Sequence, residues 1–255
     1  MPFNFNFFKK QRDEHGFSVY SVYQPIVDIA TGDVIGYEAL ARSGEELPAD
    51  MFRDSYEKGT VIPFDFHCLE SAIKVLPQLQ DGQYLFLNIE PLTLEQAFSK
   101  GKEGDLFLKG LKAYSNKIVF ELTEGVKKSD FAFIRRGVDF IRAFGYRFAL
   151  DDIDDIGVKT AQLASLRPDF LKIDLQLVQG IASNQLNQQI VSEMVHLGRV
   201  NGSEMVAEGV EHKSDFAFVR KMGIRYGQGF LFARPAKELV FSLPRAKEWL
   251  EGSGS

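Results

Sequence analysis

The chain has 255 residues, 45% of them apolar and 25% charged, which is ordinary globular usage and enough to bury a sizeable core. Its 30 basic and 35 acidic residues give a net charge of −5, which argues against bulk electrostatic attraction to a nucleic-acid polymer or an anionic membrane. One cysteine, Cys68, excludes a disulfide scaffold, and four scattered histidines beside it leave no zinc site of the usual kind, so a metal here must be held by oxygen.

The first segment, Met1 to Phe8, alternates Phe with Asn and meets Lys9 and Lys10, so it does not read as a signal peptide. No apolar run approaches the ~20 residues of a spanning helix, and a cytoplasmic protein without membrane insertion is expected. Residues 1–16 read as an N-terminal extension, 17–250 as one domain, and 251–255, Glu-Gly-Ser-Gly-Ser, as a linker-like tail. Eight strands are predicted in chain order, at 19–26, 34–40, 82–88, 117–121, 147–152, 170–174, 204–208 and 225–231. Only Asp28 to Asp33 separates the first two, with Ala30-Thr31-Gly32-Asp33 as turn chemistry, so they form a hairpin and the first strand runs against the rest.

The later strands are separated by apolar residues at helical spacing. Phe131, Ile134, Val138, Ile141 and Phe144 mark one helix, and Ile181, Leu186, Ile190, Met194 and Leu197 mark another over Leu177 to Val200. This alternation predicts an α/β fold, a modified TIM-like (β/α)₈ barrel with the first strand antiparallel. A doubly wound open sheet stays open on the pattern alone. Glu124-Gly125-Val126 and Lys128 to Phe133 echo in Glu208-Gly209-Val210 and Lys213 to Phe218, a repeated βα unit with Ser129 and Ser214 as predicted N-caps. Cys68 reads as a small core residue, His67 and His212 as surface or helix-terminal, and Trp249 as cover for apolar surface. The stripe Phe3, Phe5, Phe7 and Phe8 reads as packing on the barrel floor or mediating association.

In an α/β barrel the chemistry collects at the C-terminal strand ends. There the sequence places Glu38, Asn88, Glu121, Asp151-Asp152 and Glu208, with Lys172 in the sixth strand and Gln228 in the eighth. Five carboxylates converging on one rim repel one another unless a cation holds them. An all-oxygen set favours Mg²⁺, Mn²⁺ or Ca²⁺. Adjacent Asp151 and Asp152 suit two ions about 3.5–4 Å apart, the spacing for in-line attack on a phosphodiester. A lysine beside them can orient water or stabilise phosphoryl charge.

These strand ends also resemble a known family. Tyr37-Glu38-Ala39-Leu40-Ala41-Arg42 is similar to the motif that names the EAL domains, bacterial phosphodiesterases and receptors for cyclic di-GMP. The likeness continues through Tyr23-Gln24-Pro25-Ile26, Leu87-Asn88, Glu121-Leu122-Thr123-Glu124, Ala149 to Asp152, Leu171 to Asp174, Ala207 to Glu211 and Gln228 to Pro235. It implies a barrel with an antiparallel first strand, and hydrolysis of cyclic di-GMP to linear pGpG with two Mg²⁺ or Mn²⁺ ions. By the same resemblance Glu38, Asn88, Glu121, Asp151 and Asp152 are metal ligands, and Lys172 and Glu208 are catalytic. Gln24, Arg42 and Gln228 are substrate-binding, the arginine through phosphate, and Glu124 anchors the loop after the fifth strand. The partners expected are cyclic di-GMP, a second copy of the chain and a regulatory protein.

The resemblance breaks after Asp152. The family's Phe-Gly-Thr-Gly is replaced by Ile153-Asp154-Asp155-Ile156, with Gly157 next, although 19 residues still separate Asp152 from Lys172. Isoleucine and aspartate resist the positive φ that glycine permits, so the loop follows a different path. Two functions of different class therefore stay open: a working phosphodiesterase, favoured by the complete ligand set, and a receptor that binds cyclic di-GMP and cleaves it slowly or not at all, favoured by the altered loop. A third, a protein-binding domain that has lost the nucleotide, sits poorly with intact Gln24 and Arg42.

Overall fold

The structure is a computed structural model, and it describes residues 18–44, 48–98, 102–122, 131–153 and 165–243. The Phe-rich start, Ser129, Glu124, Asp154, Asp155, Trp249 and the tail lie outside the described residues. The strands are β1 (Tyr20–Asp28), β2 (Val34–Arg42), β3 (Tyr84–Ile89), β4 (Ile118–Leu122), β5 (Arg147–Ile153), β6 (Phe170–Ile173), β7 (Glu204–Ala207) and β8 (Tyr226–Gly227). They neighbour one another in sequence order in a closed barrel, and β1 meets β8 antiparallel, as the hairpin predicts. Among the described residues no helix is long and apolar enough to cross a membrane. Two compact units divide the chain, residues 1–23 with 39–147, and residues 24–38 with 148–255.

In the first unit β3 and β4 pair in parallel, in register from Leu85 opposite Ile118 to Ile89 opposite Leu122. Their central residues, Leu85, Phe86, Val119 and Phe120, are fully buried, the uniform apolar run of a strand covered on both faces. Helices α1 (Pro48–Glu57), α2 (Val61–Ala72), α3 (Lys102–Gly110) and α4 (Phe131–Ala143) surround them in sequence. The stripe read in α4 holds: Ile134, Val138 and Ile141 are completely buried, worth about 1.5–3 kcal/mol each. Cys68 packs with Met51 and Phe64 as a small core residue, and burial pushes its thiol well above the usual range. Behind β3, the buried carboxylate of Asp65 accepts the Glu90 N–H at 3.0 Å; burial, then the charge of Glu90, raises its pKa to about 7.

In the second unit β5, β6, β7 and β8 are successively parallel, with Lys172 opposite Val206 and Ile173 opposite Ala207. The β1–β2 turn is fixed by Asp28, whose Oδ1 accepts the N–H groups of Ala30 at 2.8 Å and Thr31 at 3.2 Å, while Gly32 takes φ 74°. Strand β8 is shorter than predicted. A Cβ on Gly229 would lie 2.2 Å from the Val210 carbonyl oxygen, so the backbones touch there and the chain turns off the sheet at Gln228. The predicted helix over 177–200 is also corrected. Gly180 at φ 73° ends a short turn after β6, and Asn184 caps a new helix, α5 (Gln185–Asn201), by accepting the N–H groups of Leu186 and Asn187. Its buried face is Asn187, Val191, Met194, Val195 and Gly198, which leaves Leu186 64% exposed. The N-cap position of helix α6 (Lys213–Lys221) is His212, which makes no side-chain cap bond, and not Ser214.

Candidate active site

The second unit gathers seven of the expected residues. Lys172 stands in the middle of β6, flanked by Leu171 and Ile173, and is fully buried. Its Nζ lies 2.7 Å from Glu208 Oε1, 2.9 Å from Asp151 Oδ1 and 3.4 Å from Glu38 Oε2. Parallel pairing places these groups together: Glu208 follows β7 and donates its N–H to the Ile173 carbonyl, and Asp151 comes from the neighbouring β5. A buried ammonium is tolerated because its carboxylate neighbours compensate the lost hydration.

Asp151 and Asp152 share a side through an irregularity. Successive residues of a regular strand face opposite ways. Between Leu150, opposite Leu171, and Ile153, opposite Ile173, β5 carries one residue more than β6, and Asp152 adopts φ 53°. This β-bulge turns the pair so that carboxylate oxygens of Asp151, Asp152 and Glu208 lie within 4.8 Å of one another. Aspartate is among the few residues with a side chain that enter the left-handed region readily.

The amides are equally ordered. Gln228 Nε2 donates to Glu38 Oε2 at 2.6 Å and to Gln24 Oε1 at 3.1 Å, and Gln24 Nε2 donates to the Ala233 carbonyl at 3.1 Å. Gln228 Oε1 is buried and accepts no hydrogen bond from the described residues. Such a buried oxygen calls for a donor or a cation.

Three carboxylates, Glu38, Asp151 and Glu208, thus surround the ammonium of Lys172, and Asp152 lies beside Asp151 and Glu208. Their mutual cost is visible in their titration. Burial raises Glu208 well above the usual carboxylate range, the charge of Asp151 adds to it, and Lys172 offsets part. Burial likewise raises Asp151 against the pull of Lys172. Asp152, partly exposed, is raised to about 6 by burial first and by Asp151 second. A divalent cation fits this donor set: the oxygens are hard, the negative charge is in excess, and a buried amide oxygen finds no donor among the described residues.

The remaining candidates belong to the first unit. Asn88 on β3 and Glu121 on β4 are partners across the parallel ladder, Glu121 fully buried and Asn88 half-buried. Arg42 ends β2, its Nη1 donating to the Ala41 carbonyl at 2.7 Å. Three features escaped the sequence reading: the bulge, the engagement of both ends of the Gln24 amide, and Asp174. The last caps the turn after β6 by accepting the Gln176 N–H at 2.6 Å and also raises Asp152. An aspartate directly after a strand and before a helical run is a readable cap signal; the other two had none.

A family model described as the EAL domain matches residues 11–235. The chain is 30% identical over 224 residues to the probable cyclic di-GMP phosphodiesterase PdeA of Escherichia coli (strain K12), covering 80% of this chain and 31% of that protein. Among solved structures it is similar to a standalone versatile EAL protein from Vibrio cholerae O395 in its c-di-GMP bound form, with TM-score 0.77, 26% identity, and 90% and 98% of the two chains covered. It also resembles Klebsiella pneumoniae BlrP1 in a calcium/cy-diGMP complex, with TM-score 0.77, 28% identity, and 88% of this chain and 57% of that one covered. The same protein's manganese/cy-diGMP complex gives TM-score 0.74, 29% identity, and 87% and 57% covered. The chain spans about a third of the length of PdeA and of the related PdeF of E. coli.

Proposed function

Because the chain belongs to the EAL domain family, we propose that it binds cyclic di-GMP and hydrolyses one of its phosphodiester bonds, giving linear pGpG. The observation that carries this reading is the buried Lys172 held among Glu38, Asp151 and Glu208, with Asp152 turned toward the same cluster by the bulge. Glu38, Asn88, Glu121, Asp151 and Asp152 would hold Mg²⁺ or Mn²⁺, two ions in the active state. Bound there, such ions supply Lewis-acid stabilisation of the phosphoryl oxygens and acidify water.

The chain's own groups do the rest. Lys172, held by Glu208 at 2.7 Å and Asp151 at 2.9 Å, would direct an N–H at the attacking water. Glu208, with its proton affinity raised by burial, is suited to hold a proton in transit. Water adds to phosphorus, the bond to the 3′ oxygen breaks, and the water's proton ends on that leaving oxygen. Arg42 meets phosphate with its planar fork.

The sequence after Asp152 favours a second reading, in which the domain captures cyclic di-GMP and does not turn it over. The experiment that separates them is chromatography of cyclic di-GMP incubated with purified protein and Mg²⁺ or Mn²⁺, with Glu38→Ala as control and calorimetry in Ca²⁺ to record binding. Linear pGpG formed by the intact protein alone supports the enzyme. Tight binding without product supports the receptor, and full activity in Glu38→Ala would overturn the site assignment. Exchanging Ile153-Asp154-Asp155-Ile156 for Phe-Gly-Thr-Gly should raise turnover if the loop limits it.

A further inference from the structure

Resting on the metal-centre reading above, we infer that Gln24 is a positioning residue, acting through Gln228 to set the Glu38 carboxylate, in addition to any contact with nucleotide. A hydrogen-bond chain is fixed at both of its ends. The Ala233 carbonyl can only accept, so the Gln24 group 3.1 Å from it is the NH₂, and Gln24 Oε1 must face the other way. An ionised Glu38 can also only accept, so the Gln228 group 2.6 Å from Glu38 Oε2 is likewise the NH₂. Between them the geometry closes: Gln228 Nε2 lies 3.1 Å from Gln24 Oε1. Both amide orientations are thus dictated by acceptor-only groups at the ends, and the chain has a single polarity from Ala233 to Glu38.

Its consequence lies at the Gln228 amide oxygen and at the Glu38 carboxylate. With both Gln228 hydrogens committed, Gln228 Oε1 is the buried oxygen that accepts no bond from the described residues. Glu38 Oε2 accepts from Gln228 Nε2 at 2.6 Å and faces Lys172 Nζ at 3.4 Å, so a change at the Gln228 amide is felt directly at the carboxylate. Gln24, Glu38 and Gln228 are all buried, which keeps water from replacing a lost link cheaply. Without the acceptor at Gln24, the Gln228 amide can turn about its last torsion, and Glu38 loses its fixed rotamer. Groups that orient a metal-binding carboxylate typically contribute about 10–100-fold in metal affinity.

The test is Mn²⁺ binding to nucleotide-free protein, followed by the electron paramagnetic resonance of free Mn²⁺, for wild type and Gln24→Met, with circular dichroism to verify folding. The expected result is a loss of roughly tenfold or more in Mn²⁺ affinity before any nucleotide is added. Equal Mn²⁺ affinity in the two proteins, with cyclic di-GMP binding alone weakened, would make Gln24 a nucleotide contact only and overturn the inference. Wild type that takes up no Mn²⁺ would overturn the metal centre itself, a different failure. Should Gln24→Met not fold, hydrogen exchange of the side-chain NH₂ groups in wild type decides: slow exchange at both Gln24 and Gln228 supports the relay, and fast exchange at either refutes it.

Discussion

Replacing Lys172 with methionine removes an ammonium that stands 2.7 Å, 2.9 Å and 3.4 Å from the carboxylates of Glu208, Asp151 and Glu38. The side chain is fully buried, so methionine fills much of the same volume, and the loss is electrostatic. Breaking a buried ion pair by deleting one partner costs about 3–5 kcal/mol. For a domain of this size each kcal/mol corresponds to about 2–4 °C, so the melting temperature should fall by roughly 6–20 °C. The deficit has a pH sign. Glu208 and Asp151 are already raised by burial with Lys172 holding them down, so its removal raises them further. The folded variant then retains protons that the unfolded chain has released, and its stability falls as pH rises above the ordinary carboxylate range. Thermal melts at pH 5 and pH 8 should therefore show the larger gap at pH 8. A fixed Mn²⁺ concentration should narrow it, because the variant's uncompensated carboxylates bind the cation more tightly than wild type and each tenfold in affinity adds about 1.4 kcal/mol to its folded state. A variant that melts within ~2 °C of wild type at pH 8 without divalent cation, less than one kcal/mol on the same scale, would refute this account of the cluster.

Other outcomes follow from the same geometry. Asp152 is raised to about 6, so below that pH its proton competes with cation; Mn²⁺ affinity measured by titration should rise from pH 5 to 7 and level off above. Without cation the sign for folding is opposite: the folded chain keeps this proton, so the group's contribution to stability declines from about pH 4 to pH 6 in denaturant titrations. Gly229→Ala would put a methyl 2.2 Å from the Val210 carbonyl oxygen; chemical unfolding should show a loss of about 1–3 kcal/mol or more, and an unchanged midpoint would contradict the close approach. Asp152→Asn should keep the bulge and weaken cation binding, whereas Asp152→Val should also destabilise the fold, since a β-branched residue resists φ 53°; equal melting temperatures for the two would contradict the left-handed backbone.

Much of the architecture was legible because most of the later strands are short apolar runs with an acid, amide or lysine of chemical use in or just after them. The ends of β5, β6 and β7 fall within a residue of the prediction for that reason. Strand β8 was overextended because nothing in Gly229-Phe230-Leu231 announces that the Val210 backbone, far away in sequence, occupies the space a side chain would need. The buried face of α5 was misread because Leu186 keeps apolar spacing with Ile190 and Met194, yet the helix starts at Asn184 and turns Asn187 inward, its amide donating to the Gln176 and Leu177 carbonyls. Gln24 looked like a contact for ligand alone; its partner in the chain is Gln228, separated by 204 positions, and only the antiparallel meeting of β1 with β8 brings them together.

The extra residue in β5 has a further effect on what can be engineered after it. A strand delivers its last side chain to one face or the other according to the parity of its length, and the bulge at Asp151-Asp152 resets that parity before the chain leaves at Ile153, opposite Ile173. Exchanges of equal length that begin at Ile153 inherit the reset and start in the right direction. Adding or deleting one residue upstream, between Leu150 and Ile153, reverses it and sends one aspartate to the back of the sheet. The adjacent pair therefore behaves as a frame marker for this strand: its two acids can serve one face only while the count around them is kept.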